Sequence, residues 1–331
     1  MQRRQFIHSL GAAAIASPLV ATGASAQTAT WRFATAYGDA VHHTRNVRLF
    51  STEWQAASRG AVEVDLQVNA ALKKMPEILP ALEAGEIQLG EVLMSAYANL
   101  VPALNMDAIP FIVRGPEDAR LMWQVSRASI EKALAARGLE LLYAVPWPGQ
   151  GLFSRKAVAR LEDLKSMNFR VYNDATRRMA ELSGATPANI AASELAAAVA
   201  DGRVDAMITS SVTGVDSQAW SRMKVFYELR AWIPKNMVCA NARAVAALPA
   251  PAREALRTMA AQAEKRGWSL ADAADDDAKL QLTRSRMSVE PAPFELRRTL
   301  SSLGEKMSRE WAARAGIDNA IVLLDFFNRR G

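Results

Sequence analysis

One pattern constrains this chain more than any other: strand-like and helix-like segments alternate through its first half and then begin again. Residues 30–35 read as a strand, and residues 44–59 as a helix with Val47, Phe50 and Trp54 near helical spacing. Residues 61–68 alternate apolar and polar side chains at period two, which marks a strand. Residues 75–84 follow as a helix that carries Pro80, and residues 87–93 as a third strand. Residues 117–137 are a further helix and 139–145 a further strand. Such a βαβαβ order implies a parallel sheet covered by helices.

The rhythm restarts with strands at 151–156 and 168–172, a helix at 174–184 ended by Gly184, and a helix at 193–200 with Gly202 just past its end. Residues 204–208 form a buried strand that runs into Thr209, Ser210 and Ser211. Two α/β lobes follow from this, and 331 residues suffice to give each its own core. The last third is almost all helix. Residues 251–284 hold no proline after Pro251 and predict one long helix, though Gly267 lies within it. About 30 residues at 1.5 Å each reach about 45 Å, more than one small lobe needs, so this helix is expected to brace both.

The first 26 residues read as an export signal outside the fold. A charged start with Arg3 and Arg4 precedes an apolar run from Leu10 to Ala21, and Ala24-Ser25-Ala26 forms a small-x-small cleavage site before Gln27. Arg3-Arg4 followed by Phe6-Ile7 resembles a twin-arginine signal. The apolar run is short for a bilayer span and contains Pro18, which argues against an anchor. The expected location is the periplasm. The formal charge of +6 falls to +4 once Arg3 and Arg4 are removed, and the basic residues are scattered. Nucleic acid, which wants a concentrated basic face, is not an expected partner.

Chemistry-bearing clusters are scarce. Cys239 is the single cysteine, so no internal disulfide can form, and its apolar surroundings read as packing. The mature chain has two histidines, His42 and His43, whose adjacent side chains diverge and do not make a chelating pair. No nucleophile elbow, CxxC, HExxH or phosphate loop occurs. No metal, cofactor or catalytic residue is expected.

Arg170 stands out against this background. It lies in a strand-like run just before a helix, and ligands of open α/β sheets bind outside the C-terminal ends of strands. Asn173 follows at the mouth of the next helix, whose N–H groups favour an anion. An arginine fork accepts both oxygens of a carboxylate. The residues alone leave a second reading open, a surface salt bridge from Arg170 to Asp174 or Glu181.

The stretch Asp163-Leu164-Lys165-Ser166-Met167-Asn168-Phe169-Arg170-Val171-Tyr172 closely resembles a motif of the substrate-binding proteins of tripartite ATP-independent periplasmic (TRAP) transporters, of the dicarboxylate-binding DctP type. So do Ser183-Gly184-Ala185-Thr186-Pro187, Ser193-Glu194-Leu195 and Asp201-Gly202-Arg203-Val204-Asp205-Ala206. Phe33-Ala34-Thr35 and Leu82-Glu83-Ala84-Gly85, then Gly90, extend the resemblance over nearly all of the mature chain. It implies an α/β, two-lobe periplasmic binding protein fold with a long C-terminal bracing helix. Lobe I would span residues 27–148 and lobe II residues 149–236. Residues 237–331 would supply returning strands and the helices that brace both lobes.

The resemblance also implies a receptor that closes on a small organic acid and delivers it to TRAP membrane permease subunits. The family's carboxylate-clamping arginine falls on Arg170 and its contacting asparagine on Asn173. The pocket segment after the Val-Asp strand falls on Thr209, Ser210 and Ser211, and an aromatic cap falls near Trp232. Tyr37 and Lys74 would face the acid from lobe I. Gln150 stands where sugar-acid members carry a second arginine, Leu93-Met94-Ser95 where they carry an acid, and Lys73-Lys74 where they carry acids. The pocket is therefore expected to be less polar than a sugar-acid site, with Trp147, Trp220 and Trp232 as aromatic walls or as plain core. The alternative function is a periplasmic enzyme acting on a carboxylate, or a ligand-sensing partner of a membrane kinase. The missing catalytic constellation argues against the enzyme.

Overall fold

The computed structural model describes residues 28–330, so the export signal and its cleavage site lie outside the described residues. Lobe I is built on β1 (Ala29–Thr35), α1 (His42–Ala57), β2 (Val62–Gln67), α2 (Met75–Ala84) and β3 (Leu89–Leu93), followed by α3 (Pro116–Ala135) and β4 (Leu139–Pro146). Lobe II holds β5 (Gly151–Ser154), β6 (Asn168–Val171), α4 (Asp174–Leu182), β7 (Thr186–Asn189), α5 (Leu195–Ala200), β8 (Ala206–Thr209), α6 (Ser211–Asp216) and β9 (Val225–Glu228). The chain then returns to lobe I through β10 (Lys235–Asn241) and α7 (Ala242–Ala247). It ends with α8 (Ala250–Arg284), β11 (Ser288–Pro291), α9 (Phe294–Ala315) and α10 (Ile317–Arg330).

The sheets are mixed, which corrects the expectation of a parallel sheet. Lobe I has strand order β2-β1-β3-β10-β4 and lobe II β11-β9-β5-β8-β6-β7. The βαβ units β1-β2, β1-β3, β6-β7 and β6-β8 are parallel as the alternation requires. By contrast, β10 runs antiparallel to β3 and β4, and β5 antiparallel to β8 and β9. The cause is the connection between lobes. The chain crosses once after β4 and once before β10, and the two crossings pair with each other. Trp147 N–H donates to Pro234 O at 2.8 Å, Gln150 N–H to Trp232 O at 2.9 Å and Ala231 N–H to Gln150 O at 2.8 Å. One antiparallel ribbon thus runs through both sheets, and its middle is the hinge.

Each sheet is covered on both faces. In lobe I the stripe of α1 buries Val47, Phe50 and Trp54 against Trp31, Phe33 and Tyr143, and α2 and α3 pack on the other face. β3 is buried along its whole length, as a central strand between helical layers must be.

The helix expected over 251–284 is α8, and it touches both lobes. On lobe I it receives Asn46 Nδ2 on Ala263 O and Trp54 Nε1 on Ala252 O, and its Trp268 donates to Ala144 O. On lobe II its Asp275 accepts from Ser211 Oγ at 2.5 Å, and Lys279 pairs with Glu228 at 2.7 Å. Gly267 permits the close approach: a Cβ there would lie 2.3 Å from Val145 Cγ2 and 2.8 Å from Asn46 Nδ2.

Candidate binding site

Arg170 is the third residue of β6, between β8 and β7, and flanking Phe169 and Val171 are fully buried. A side chain in so interior a strand cannot reach bulk solvent, and Arg170 is 3% exposed. Its Nε donates to Ile190 O at 3.1 Å, and its guanidinium carbon lies 4.7 Å over the Tyr172 ring. Among the described residues it forms no ion pair. Glu181, a surface partner the sequence allowed, pairs with Arg178 instead. Burial pulls the Arg170 guanidinium down to about 10, so at neutral pH it stays cationic. A buried cation without a counter-ion is costly, and an anion beside it offsets that cost.

The guanidinium looks into a chamber of about 40 Å³ lined by Tyr37, Trp147, Gln150, Tyr172, Thr209 and Thr213. Tyr37, Leu93, Arg170, Tyr172 and Ala192 are shared with a wider cavity of about 370 Å³, which extends between Lys74 and Met75 of lobe I and residues 189–194 of lobe II. The walls come from strand ends of both lobes and from the hinge ribbon.

Several side chains in the walls are held by bonds that fix their orientation. Trp147 Nε1 donates to Asn236 Oδ1 at 2.8 Å, and its ring sits 4.3 Å from His43 and 5.1 Å from Tyr37. Gln150 spends its Nε2 on Pro148 O at 2.8 Å and accepts at Oε1 from the Tyr172 hydroxyl at 3.2 Å. Burial pushes the Tyr172 phenol up to about 12 and the Tyr37 phenol well above its ordinary range, so both remain neutral donors. Asn173 caps α4 through Oδ1, which accepts from Thr176 N–H, and its Nδ2 donates across the cleft to Ser95 Oγ at 2.9 Å.

Behind this wall lies a second polar layer. Glu91 accepts from Thr35 Oγ1 at 2.5 Å and faces His43 Nδ1 at 3.5 Å. Burial raises the Glu91 carboxyl and lowers His43 to about 3, so the histidine is uncharged at neutral pH and adds no cation to the site. Among the described residues Arg170 is then the one cation lining the inner chamber, while Lys74 and Glu194 sit at the exposed mouth of the wider cavity.

Of the residues singled out in the sequence, the structure gathers Arg170, Tyr37, Trp147, Gln150 and Thr209 around the chamber and Lys74 at the mouth. Asn173 bridges the cleft. Ser210 is set apart: it is the fully buried N-cap of α6, and its Oγ accepts from Thr213 N–H at 3.1 Å. Trp232 is packed into the core of lobe II and lines neither cavity, and Trp220 packs against the apolar cluster that holds Phe153 and Phe226. Lys73 pairs with Glu86 at 2.7 Å. Sequence reasoning passed over Tyr172, although two residues after Arg170 on a strand puts it on the same face. It gave Ser95 only as part of the Leu93-Met94-Ser95 stretch, without a role, and missed Asn236, which no local pattern marks.

Comparison with known proteins identifies relatives of the chain. A family model described as bacterial extracellular solute-binding protein, family 7 (DctP), matches residues 33–312. The crystal structure of DctP7, an extracytoplasmic solute receptor of Bordetella pertussis binding pyroglutamic acid, is 39% identical with a TM-score of 0.88, covering 91% of this chain and all of that one. A marine metagenome TRAP solute-binding protein specific for pyroglutamate, in complex with co-purified pyroglutamate, is 31% identical with a TM-score of 0.89, covering 91% of this chain and 99% of that one. A solute-binding protein of Albidiferax ferrireducens is 27% identical over 290 residues, 84% of each chain.

Proposed function

Because the chain belongs to family 7 of the bacterial extracellular solute-binding proteins, we propose that it is a receptor for a small monocarboxylate of the pyroglutamate kind, held between its lobes and passed to a TRAP permease. The observation that carries this reading is the buried Arg170 guanidinium, which lacks an acidic partner among the described residues and looks into a chamber otherwise walled by neutral groups. One carboxylate satisfies the fork. The rest of the ligand meets phenols, an amide, a hydroxyl and indole, which suits a neutral, compact ring bearing an amide. A free amino acid fits poorly, because its ammonium finds no carboxylate in the inner chamber and would be buried unpaired.

In this reading Arg170 clamps the acid, and Tyr37, Trp147, Gln150, Tyr172 and Thr209 shape the chamber. Asn173 and Ser95 join the lobes when they close. Lys74 screens the mouth. Closure is favoured by ligand contacts made only in the closed state. Three relatives above 30% identity carry pyroglutamate or pyroglutamic acid in their descriptions, which supports the choice of acid.

Calorimetric titration with pyroglutamate, glutamate and proline tests the proposal. Pyroglutamate should bind and the two zwitterions should not. Equal binding of glutamate would overturn it. Native mass spectrometry of the freshly purified protein should show a retained mass of the same acid. Export by the twin-arginine route is part of the same reading, and unimpaired export of an Arg3→Lys/Arg4→Lys variant would argue for the general route.

A further inference from the structure

A second recess lies away from the ligand cavity and shares no lining residue with it. This groove has a volume of about 470 Å³ and is bounded by the loop 110–114, by Leu229 and Arg230 at the end of the hinge ribbon, and by one face of α9. Four arginines line it, Arg114, Arg230, Arg297 and Arg309, against one carboxylate, Glu305. All four are exposed, and none forms an ion pair among the described residues.

Its base is apolar. Pro110, Phe111, Ile112 and Leu229 form it. Phe111 N–H donates to Ala231 O at 2.6 Å, which fastens the loop to the hinge. α9 lies flush on that loop, since a Cβ at Gly304 would come within 2.6 Å of the Phe111 ring. Residues 297, 301, 305 and 308 fall at helical spacing, so α9 presents one continuous polar wall to the groove.

We propose that this groove docks an acidic segment of a partner protein, one that also carries an apolar side chain for the base. Charge complementarity selects the acid, because three positive charges in excess converge on one recess. The open shape and exposed arginines do not form a cage for a small ion, and the apolar base has no use in one. A partner seated here touches Arg230 and the loop pinned to Ala231, and so contacts the hinge itself. The site is independent of which acid the ligand cavity holds.

The test uses the full mature protein and a synthetic glutamate-rich peptide with one phenylalanine, titrated calorimetrically at low and raised salt. The peptide should bind, the same peptide with glutamines should not, and raised salt should weaken binding. Arg297→Glu/Arg309→Glu should lower affinity by at least about tenfold, and Arg297→Gln/Arg309→Gln by less, with melting temperatures close to wild type. Equal binding of the glutamine peptide, or unchanged affinity in the charge-reversed variant, would overturn the proposal. So would tight, arginine-dependent binding of inorganic pyrophosphate with none of the peptide, since that would describe a small-anion site.

Discussion

Asn173 and Ser95 meet across the cleft: the Asn173 amide donates to the Ser95 hydroxyl at 2.9 Å while its carbonyl caps α4. The cap belongs to lobe II alone, but the bond to Ser95 exists only when the lobes are together. Ser95→Ala therefore separates the two roles. It should leave melting nearly unchanged and weaken ligand binding by the worth of one hydrogen bond, about 0.5–1.5 kcal/mol, or roughly 2- to 13-fold. Asn173→Ala should add a loss of about 1 kcal/mol in stability from the missing cap. Calorimetric titration and thermal melts of both variants check this, and wild-type affinity in Ser95→Ala would show that closure does not depend on the bond.

In the proposed reading, acid binding depends on Arg170. Arg170→Ala should nearly abolish ligand binding while the fold persists. Truncating one member of a buried charge pair costs roughly 2–5 kcal/mol, about 30- to several-thousand-fold in affinity. Arg170→Lys should recover little, because an ammonium does not reproduce the two-pronged fork and lacks the planar face that covers Tyr172. A purely structural role would instead show equal affinities in all three proteins, with the variants differing only in melting temperature.

The pattern of period-two and helical segments made the two-lobe layout legible, and even the extent of α8 could be read from a proline-free run. What stayed hidden has a common physical origin. β7, β9 and β11 are four residues each, and β7 and β11 are largely exposed edges that contain Pro187 and Pro291, so they carry little periodic signal. The antiparallel ribbon pairs residues 81 to 87 positions apart at the hinge and 89 to 102 apart in lobe I, which no local window sees. At the proposed site, Arg170 stood out because a charge in a strand is anomalous. Trp232 was misplaced because an aromatic side chain looks the same in sequence whether it walls a pocket or fills a core. Tyr172 and Asn236 act through Arg170, Gln150 and Trp147, and only the folded arrangement brings these together.

Gly267 sets two effects against each other. In an exposed helix, Gly→Ala stabilises by about 1 kcal/mol through propensity. Here the added methyl would meet Val145 Cγ2 at 2.3 Å and Asn46 Nδ2 at 2.8 Å, in the seam where α8 crosses lobe I. Overpacking a tight seam costs about 1–3 kcal/mol, so the clash should win and Gly267→Ala should be net destabilising. Urea unfolding reads the sign directly, and a stabilised variant would mean that the seam yields.

The buried histidines contribute a loss of stability in acid. Burial holds His43 at about 3 and His42 well below the ordinary range, whereas in the unfolded chain both titrate near 6.5. Above about pH 6.5 neither state binds these protons, and the stability they contribute is fully present. As pH falls below that value the unfolded chain takes up protons that the folded chain refuses, so stability declines down to the folded value near 3. Glu91 opposes this: its folded pKa is raised, so its contribution is full at low pH and is lost as pH rises through the folded value. Asp107 and Asp216, whose carboxyls burial also raises, act in the same sense as Glu91, so the histidine contribution is read by difference between wild type and a histidine variant. The slope is at most about 1.4 kcal/mol per pH unit for each proton. Unfolding by urea at about pH 7.5, 6 and 5 isolates this contribution: relative to wild type, His43→Gln should remove up to one proton from the acid-side slope of stability against pH. An unchanged slope in that variant would mean that His43 is protonated in the folded protein and that the layer behind Trp147 carries charge after all.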